Sequence, residues 1–575
     1  MNNKYFRLRI LLVGLFFLGC FGTIVAKAVQ LQVYRSRWLS QIATGQYEKS
    51  LTTSGKRGII YDRNMREMAV SVHVTSIAAY PSRIKDVGAA ARGLANILKL
   101  DARAVKKRLT ADKSFVWIKR KTTAKETRQV KDLELPGIDF VQEYNRYYPN
   151  TTLAAQALGF TGLDGQGLEG IEFYYNPQLT GTHKNFTVFK DALGNEFAPE
   201  DQQSETSSGH NLVLTIDGTI QYIAESALQQ AVDQYSAASA LAIVMQPQTG
   251  AVLAIAHYPT INPNSYLEYD RFRWRNRAIT DPFEPGSTIK IFIAAAALEF
   301  GNIKQDDIFY CENGAYKIGK NVVHDVRRHG WLSLQQIIKF SSNIGAAKVG
   351  EKVGAKKLYQ TFRSFGFGEK TGIDCPGETT GSLFHYSSWS NMDVGAISFG
   401  HGLSVSALQL VTAVSAIANN GLLMKPYIVK EVTDQNGLVV KSIQPTPVRR
   451  VVSARTAGIV KQIMKTVITD GGTGVNAALD GYTVCGKTGT ARKLDEAGQY
   501  SDSRHVASFV GFTPADHPAI AVLVVIDEPK ETYYGGAVAA PVFKDIAQQT
   551  LNYLNVAPES DKTKFRVSVE TKANG

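Results

Sequence analysis

The stretch Glu284-Pro285-Gly286-Ser287-Thr288-Ile289-Lys290, running on into Ile291-Phe292-Ile293-Ala294-Ala295-Ala296-Ala297-Leu298, decides how the rest of the chain is read. Pro285-Gly286 punctuates the backbone. The alanine-rich apolar run after it has the length and composition of a buried helix. Ser287 therefore falls near a helix N-terminus, where unpaired amides and the positive dipole end favour developing negative charge. Lys290 lies one turn on, along the same face, so its amine can reach the serine hydroxyl. A hydroxyl with a nearby base is an activated-nucleophile arrangement. The spacing alone carries little weight, because Ser82-Arg83-Ile84-Lys85 repeats it without a comparable helix start.

Two later stretches give the first one context. Ser341-Ser342-Asn343 sits between Ile337-Ile338-Lys339-Phe340 and a helical run from Ile344 to Val349. Taken alone, such a trio is a helix N-cap. Lys487-Thr488-Gly489-Thr490 follows strand-like Tyr482-Thr483-Val484-Cys485-Gly486, and Gly489 allows a ligand close to the backbone. The strand Ile520–Ile526 is its expected sheet neighbour. Lys370-Thr371-Gly372 spells the same tripeptide inside the glycine-rich loop Phe365–Gly372, with Ile373 next, and is read as loop structure.

S-x-x-K, then S-x-N, then K-T-G in this order resembles the penicillin-binding proteins and serine β-lactamases. Further segments narrow the resemblance to class B, monofunctional, penicillin-binding proteins. These are Arg57-Gly58-Ile59-Ile60-Tyr61-Asp62-Arg63-Asn64, Arg146-Tyr147-Tyr148-Pro149 and Gly167-Leu168-Glu169-Gly170-Ile171-Glu172. Read blindly they are turns with a few surface ion pairs; in the family they are signatures of a non-catalytic pedestal. Met65 stands where the family usually has glycine. Ser398–Leu410 and Tyr533–Phe543 look like family packing segments near the cleft, the latter like that of the septal, division-specific type.

The resemblance implies an α+β fold: a transpeptidase domain of antiparallel sheet and helices on an elongated α+β pedestal, with one N-terminal transmembrane helix. It implies D,D-transpeptidation of peptidoglycan stem peptides ending in D-Ala-D-Ala, through an acyl-serine at Ser287, and covalent inhibition by β-lactams. Lys290 would be the base, depressed by burial and by the Lys487 charge. Ser341 would relay a proton, and the Asn343 amide would bind a substrate carbonyl. Lys487, Thr488 and Thr490 would hold the terminal carboxylate, Gly489 would give backbone access, and the amides of Ser287 and Thr490 would form the oxyanion hole. No metal or other cofactor is expected.

Composition is compatible with this. At 575 residues the chain needs more than one core. A net charge of +13 asks for an anionic partner. No nucleic-acid motif appears, so membrane and cell wall are favoured over nucleic acid. The basic stretch Lys106–Lys131 reads as a solvated helical face. Four cysteines are too few for a disulfide framework; Cys485 reads as a core residue, and Cys311 and Cys375 are left open as a pair or as two thiols. Among the ten histidines there is no zinc-type spacing.

Lys4, Arg7 and Arg9 precede an uncharged run from Ile10 to Ala26, with Lys27 after it. That is an uncleaved single-span anchor with the N-terminus in the cytoplasm and the bulk exported to the periplasm, on a bacterial cytoplasmic (inner) membrane. A cleaved signal peptide would want a small-residue site that Ile24-Val25-Ala26-Lys27-Ala28 does not supply. The expected division is 1–9 cytoplasmic, 10–29 anchor, 30–208 pedestal, 209–557 transpeptidase, and 558–575 a polar tail. Within it, Gln30–Ser50 continues as helix, Pro199–Ser208 is a loop, Asn211–Asp217 a strand, Gly218–Tyr235 a helix, and Pro247–Gly250 a hairpin turn. A β-lactamase would be smaller and exported free, and a bifunctional synthase would carry a glycosyltransferase domain. Glycan polymerisation would then fall to a multi-spanning partner working with other division proteins. The remaining alternatives are an elongation-type transpeptidase and a β-lactam-binding sensor without turnover.

Overall fold

A computed structural model describes residues 3–36, 48–53, 55–181, 184–190, 196–197, 208–495 and 498–559. The loop expected over Pro199–Ser208 lies outside the described residues up to 207, and the expected tail lies outside them from 560. The chain divides into two compact units, residues 1–56 with 181–208, and residues 57–180 with 209–575.

In the smaller unit, α1 (Asn3–Val29) is 27 residues long. It spans about 40 Å at the helical rise, enough to cross a hydrocarbon layer of about 30 Å. It belongs to the one span among the described residues that is long and apolar enough to cross a membrane. A single π-helical turn, Gln30–Tyr34, follows. Helix does not continue to Ser50 as expected. Residues 37–47 lie outside the description, and Glu48–Thr53 is a strand paired antiparallel with Lys184–Lys190, which also pairs with Glu196–Phe197.

The larger unit begins with pedestal structure. Strand β1 (Glu67–Ala79) runs between β2 (Val116–Thr122) and β3 (Ile138–Tyr147), antiparallel to both. Helices α2 (Val87–Leu98) and α3 (Ala102–Leu109) share a core with it through Ile77, Leu94, Val105 and Ile118. Each helix starts on an aspartate, Asp86 or Asp101, whose carboxylate accepts exposed first-turn amides. The basic stretch 106–131 is thus not one helical face: it ends α3, supplies all of β2, and forms a second short helix, Ala124–Lys131.

The three pedestal signatures are not surface turns either. Glu172 is fully buried and takes Arg57 Nε at 2.6 Å on one oxygen and Arg146 Nε at 2.6 Å on the other. Burial would raise its pKa, but the two guanidiniums outweigh burial and hold it below the usual carboxylate range. Tyr148 adds a hydroxyl at 3.3 Å. Asp62 caps its own turn by accepting the amides of Asn64 and Arg66, and its other oxygen accepts the Gly218 amide at 3.1 Å. Met65 in that turn has φ +63°, the left-handed region that favours glycine. The pairing of Ile60–Tyr61 with β1 and with Asn211–Leu214 makes the sheet continuous into the second half of the chain.

There, α4 (Gly218–Tyr235) starts on the carboxylate of Asp217. A hairpin joins β4 (Ser239–Met245) to β5 (Val252–Tyr258) through the turn expected at 247–250. Helices α5 (Lys290–Phe300), α6 (Leu334–Phe340), α7 (Asn343–Val353) and α8 (Ala407–Ala418) follow, then strands β6 (Cys485–Leu494), β7 (Tyr500–Thr513) and β8 (Ile520–Asp527), and finally α9 (Gly535–Tyr553). The sheet order is β5-β4-β8-β7-β6, antiparallel throughout. Two local expectations are corrected. Strand β6 begins at Cys485, not Tyr482, and β8 is not its neighbour, because the long β7 lies between them.

Side chains alternate across this sheet with period two. Ala242, Val244, Val522 and Val524 face a core shared with α4 and α9, whereas Ile243, Met245, Ala521 and Leu523 face the core of the helical half. Both faces are covered, which is why the strands read as unbroken apolar runs. Helix α8, wholly buried, lies on the second face. Helix α5 is buried from Lys290 through Ala297 on every side, so a charged residue is carried into the interior at its first position.

Candidate active site

The serine, the trio and the tripeptide arrive from three separate elements. Ser287 lies in a short 3-10 turn, Gly286–Ile289, that feeds α5, and Lys290 is the first residue of that helix. Ser341 ends α6 in a left-handed conformation (φ 60°, ψ 37°), and Asn343 opens α7. The N-cap role proper belongs to Ser342, whose oxygen accepts the Gly345 amide at 2.9 Å. The left-handed residue turns the chain sharply between the two helices and brings Ser341 and Asn343 to the same amine. Lys487 projects from β6, which is the edge strand of the sheet.

The Lys290 amine is the hub. Its Nζ lies 3.0 Å from Ser287 Oγ, 2.7 Å from the Ser341 carbonyl, 2.7 Å from Asn343 Oδ1 and 3.3 Å from Ser341 Oγ. The carbonyl and the amide oxygen can only accept. A neutral amine therefore spends both N–H groups on them, and its lone pair is left for the Ser287 hydroxyl. Lys487 donates to Ser341 Oγ at 2.9 Å and to its neighbour's carbonyl, Thr488 O, at 3.0 Å. Ser341 Oγ thus stands between the two amines.

Both amines are wholly buried. Burial brings Lys290 down to about 7, against an upward pull from Asp325. Burial and then the charge of Lys290 push Lys487 well below its ordinary value. Burial is the larger cause at both amines, and the like-charge repulsion between them disfavours protonating both at once.

The serine turn sits directly over β6. A Cβ on Gly286, which has φ +52°, would lie 2.7 Å from the Thr490 carbonyl oxygen. That contact brings the backbones of Ser287 and Thr490 together. The Lys487 amine curls back along its own strand, 3.4 Å from Thr488 Oγ1. Thr488 donates to Thr473 Oγ1 at 3.0 Å, and Thr490 Oγ1 accepts the Gly535 amide at 3.1 Å, which leaves the Thr490 hydroxyl proton free to donate.

Sequence reasoning missed Asp325 and Thr473. Asp325 accepts the Ser342 hydroxyl at 2.6 Å and the amides of Asn343 and Ile344 at 2.5 and 3.0 Å, so it fixes the start of α7 and with it the Asn343 side chain. No local pattern marks it, since its partners lie in a distant segment. Ser82 lies in a 3-10 turn of the pedestal, Pro81–Arg83, with no hydrogen bond to Lys85 among the described residues. Lys370 belongs to a loop whose Thr371 and Gly372 amides are held by Glu378. All four cysteines are free, so Cys311 and Cys375 are separate buried thiols. Among the described residues no acidic, His or Cys cluster could hold a metal ion.

Two family models match the chain. Residues 240–548 match the penicillin binding protein transpeptidase domain, and residues 52–214 match the penicillin-binding protein dimerisation domain. A probable peptidoglycan D,D-transpeptidase, PenA, of Neisseria meningitidis is 34% identical over 549 residues, covering 94% of this chain and 92% of that one. The peptidoglycan D,D-transpeptidase FtsI of Escherichia coli is 34% identical over 527 residues, covering 90% and 87%. Penicillin binding protein 3 of Mycobacterium tuberculosis, solved in complex with aztreonam, superimposes with a TM-score of 0.69 at 28% identity, over 88% of this chain and 98% of that one. The chain belongs to the penicillin-binding protein transpeptidase family, in the class B form that joins a dimerisation-type domain to the transpeptidase domain.

Proposed function

We infer that this protein is a peptidoglycan D,D-transpeptidase in which Ser287 is the nucleophile, and that it acts at the division septum. The observation that carries the chemistry is the Lys290 amine, with two acceptors on its N–H groups and its lone pair toward Ser287 Oγ at 3.0 Å. Ser287 Oγ attacks the carbonyl between the two terminal D-alanines of a donor stem peptide, and its proton passes to Lys290. The oxyanion is held by the amides of Ser287 and Thr490, where one lost donor costs about 3 kcal/mol. The C–N bond breaks as Ser341 Oγ hands the leaving D-Ala amine a proton and is resupplied by Lys290. An acceptor amine then attacks the ester and loses a proton to the same relay, and Ser287 regains its hydroxyl as the cross-link forms.

Binding follows from an exposed edge. Among the described residues strand β6 has no strand partner on its outer side, so an extended peptide can add to it through its backbone. Lys487 and the Thr490 hydroxyl would meet the terminal carboxylate, with Thr488 joining if its bond to Thr473 turns round, and Asn343 would take a peptide carbonyl. A carboxylate beside Lys487 favours its charged form. A β-lactam would enter by the same contacts. Likeness to FtsI, the N-terminal apolar helix and the Tyr533–Phe543 segment support septal work from a single-pass anchor, N-terminus inside, beside a membrane-embedded glycan polymerase.

Turnover of a small D-Ala-D-Ala thioester or ester mimic tests the activity. The wild type should release D-Ala and transfer the acyl group to an added amine, and Ser287→Ala should do neither. Binding of penicillin with no turnover of the mimic would make the protein a sensor instead.

A further inference from the structure

We propose that Glu284, acting through His401 and Tyr500, is the positioning residue that locks the serine turn to the far end of the substrate-binding strand. This rests on the transpeptidase reading above and concerns how its groove is held. Glu284 precedes the nucleophile by three residues, and its carboxylate is only 15% exposed. One oxygen lies 2.9 Å from His401 Nδ1. The other accepts the Gly402 amide at 2.9 Å and the Tyr500 hydroxyl at 2.9 Å. His401 also meets the Tyr500 ring edge-on, centroids 5.1 Å apart. One carboxylate therefore ties together three segments distant in sequence.

Each segment touches the site without reaching the reacting atoms. Tyr500 opens β7 and pairs with Leu494, the last residue of β6. Its bond to Glu284 fixes the end of β6 opposite to the one that Lys487 pins through Ser341. The loop carrying His401 lies against the serine turn: the Gly286 amide donates to the Gly400 carbonyl at 3.2 Å, and a Cβ on Gly400 would lie 2.0 Å from the Gly286 carbonyl oxygen. Only glycine permits that approach. Only Pro285 and Gly286 separate Glu284 from Ser287, and the Gly400 carbonyl holds the Gly286 amide, so the distance from nucleophile to edge strand is set at both ends of the groove. Glu284 and Tyr500 make no hydrogen bond to Ser287, Lys290 or Ser341 among the described residues, which makes them positioning and not catalytic groups.

The consequence lies in binding more than in chemistry. Tyr500→Phe removes a tie on the hairpin and leaves the serine turn alone. Stopped-flow acylation of the full-length protein by benzylpenicillin should show the apparent binding constant weakened by about tenfold, with the limiting acylation rate changed less than about twofold. Glu284→Ala should lower both, Glu284→Gln should recover part of the binding loss by keeping an acceptor for Tyr500 and Gly402, and Tyr500→Phe added to Glu284→Ala should cost nothing further. Wild-type binding by Tyr500→Phe, or fully additive losses in the double variant, would overturn the proposal. So would a Tyr500→Phe variant in which binding and limiting rate fall together in step with a lowered Tm. Ser287→Ala run alongside separates the two readings: residual acylation there contradicts the nucleophile, whatever the latch does.

Discussion

Lys290 gives up its charge because the fold encloses its amine and supplies acceptors in place of an anion. Only the neutral form can take the Ser287 proton, so acylation should rise with pH through a midpoint of about 7 and fall about tenfold per unit below it. The Asp325 charge pulls that midpoint upward. Asp325→Asn should therefore move it in the acid direction, while also weakening the start of α7 by about 1 kcal/mol through the lost cap interactions. Penicillin acylation rates measured across pH 5 to 9 check both points, and a flat wild-type profile, or an alkaline shift in the variant, contradicts the assignment of Lys290 as base. The nucleophile–base pair was legible from one helical turn of sequence. Asp325 was not, because its role exists only after Ser342, Asn343 and Ile344 have been folded onto it.

At the scale of elements, strand and loop separate two identical tripeptides. Lys487 sits on the sheet edge facing the Lys290 amine, whereas Lys370 sits in a turn whose amides Glu378 occupies. Lys487→Ala should abolish labelling by a fluorescent penicillin, and Lys370→Ala should label at the wild-type level; the opposite pair of results would mean that the loop carries the site. The apolar run before Gly486 and the hydroxyl at Thr490 made this choice readable. What could not be read was the neighbour of β6. Strand β7 contains Ser501, Asp502, Ser503 and Arg504 in its exposed half, so its first residues look like loop, and the purely apolar β8 takes its place in any reading by hydropathy. The same limit hid the buried pedestal ion pairs. A charged triple far apart in sequence looks like surface until Glu172 is seen enclosed between Arg57 and Arg146.

Over the whole molecule, the signatures of the pedestal and the motifs of the catalytic part turn out to share one framework, since Ile60–Tyr61 pairs with Asn211–Leu214 and Asp62 holds the start of α4. The proposed septal role belongs to this scale. If recruitment is to the septum, depleting the protein in its host should give filaments with unfinished division sites; rounded or swollen cells would assign it to elongation instead. Beneath both cellular outcomes lies the claim that one serine is acylated. Peptide mapping by mass spectrometry after exposure of the full-length protein to benzylpenicillin tests it most directly. A single penicilloyl adduct on the peptide containing Ser287, absent from Ser287→Ala, is the expected result. An adduct on the Ser82 peptide, or one that persists in the variant, contradicts it.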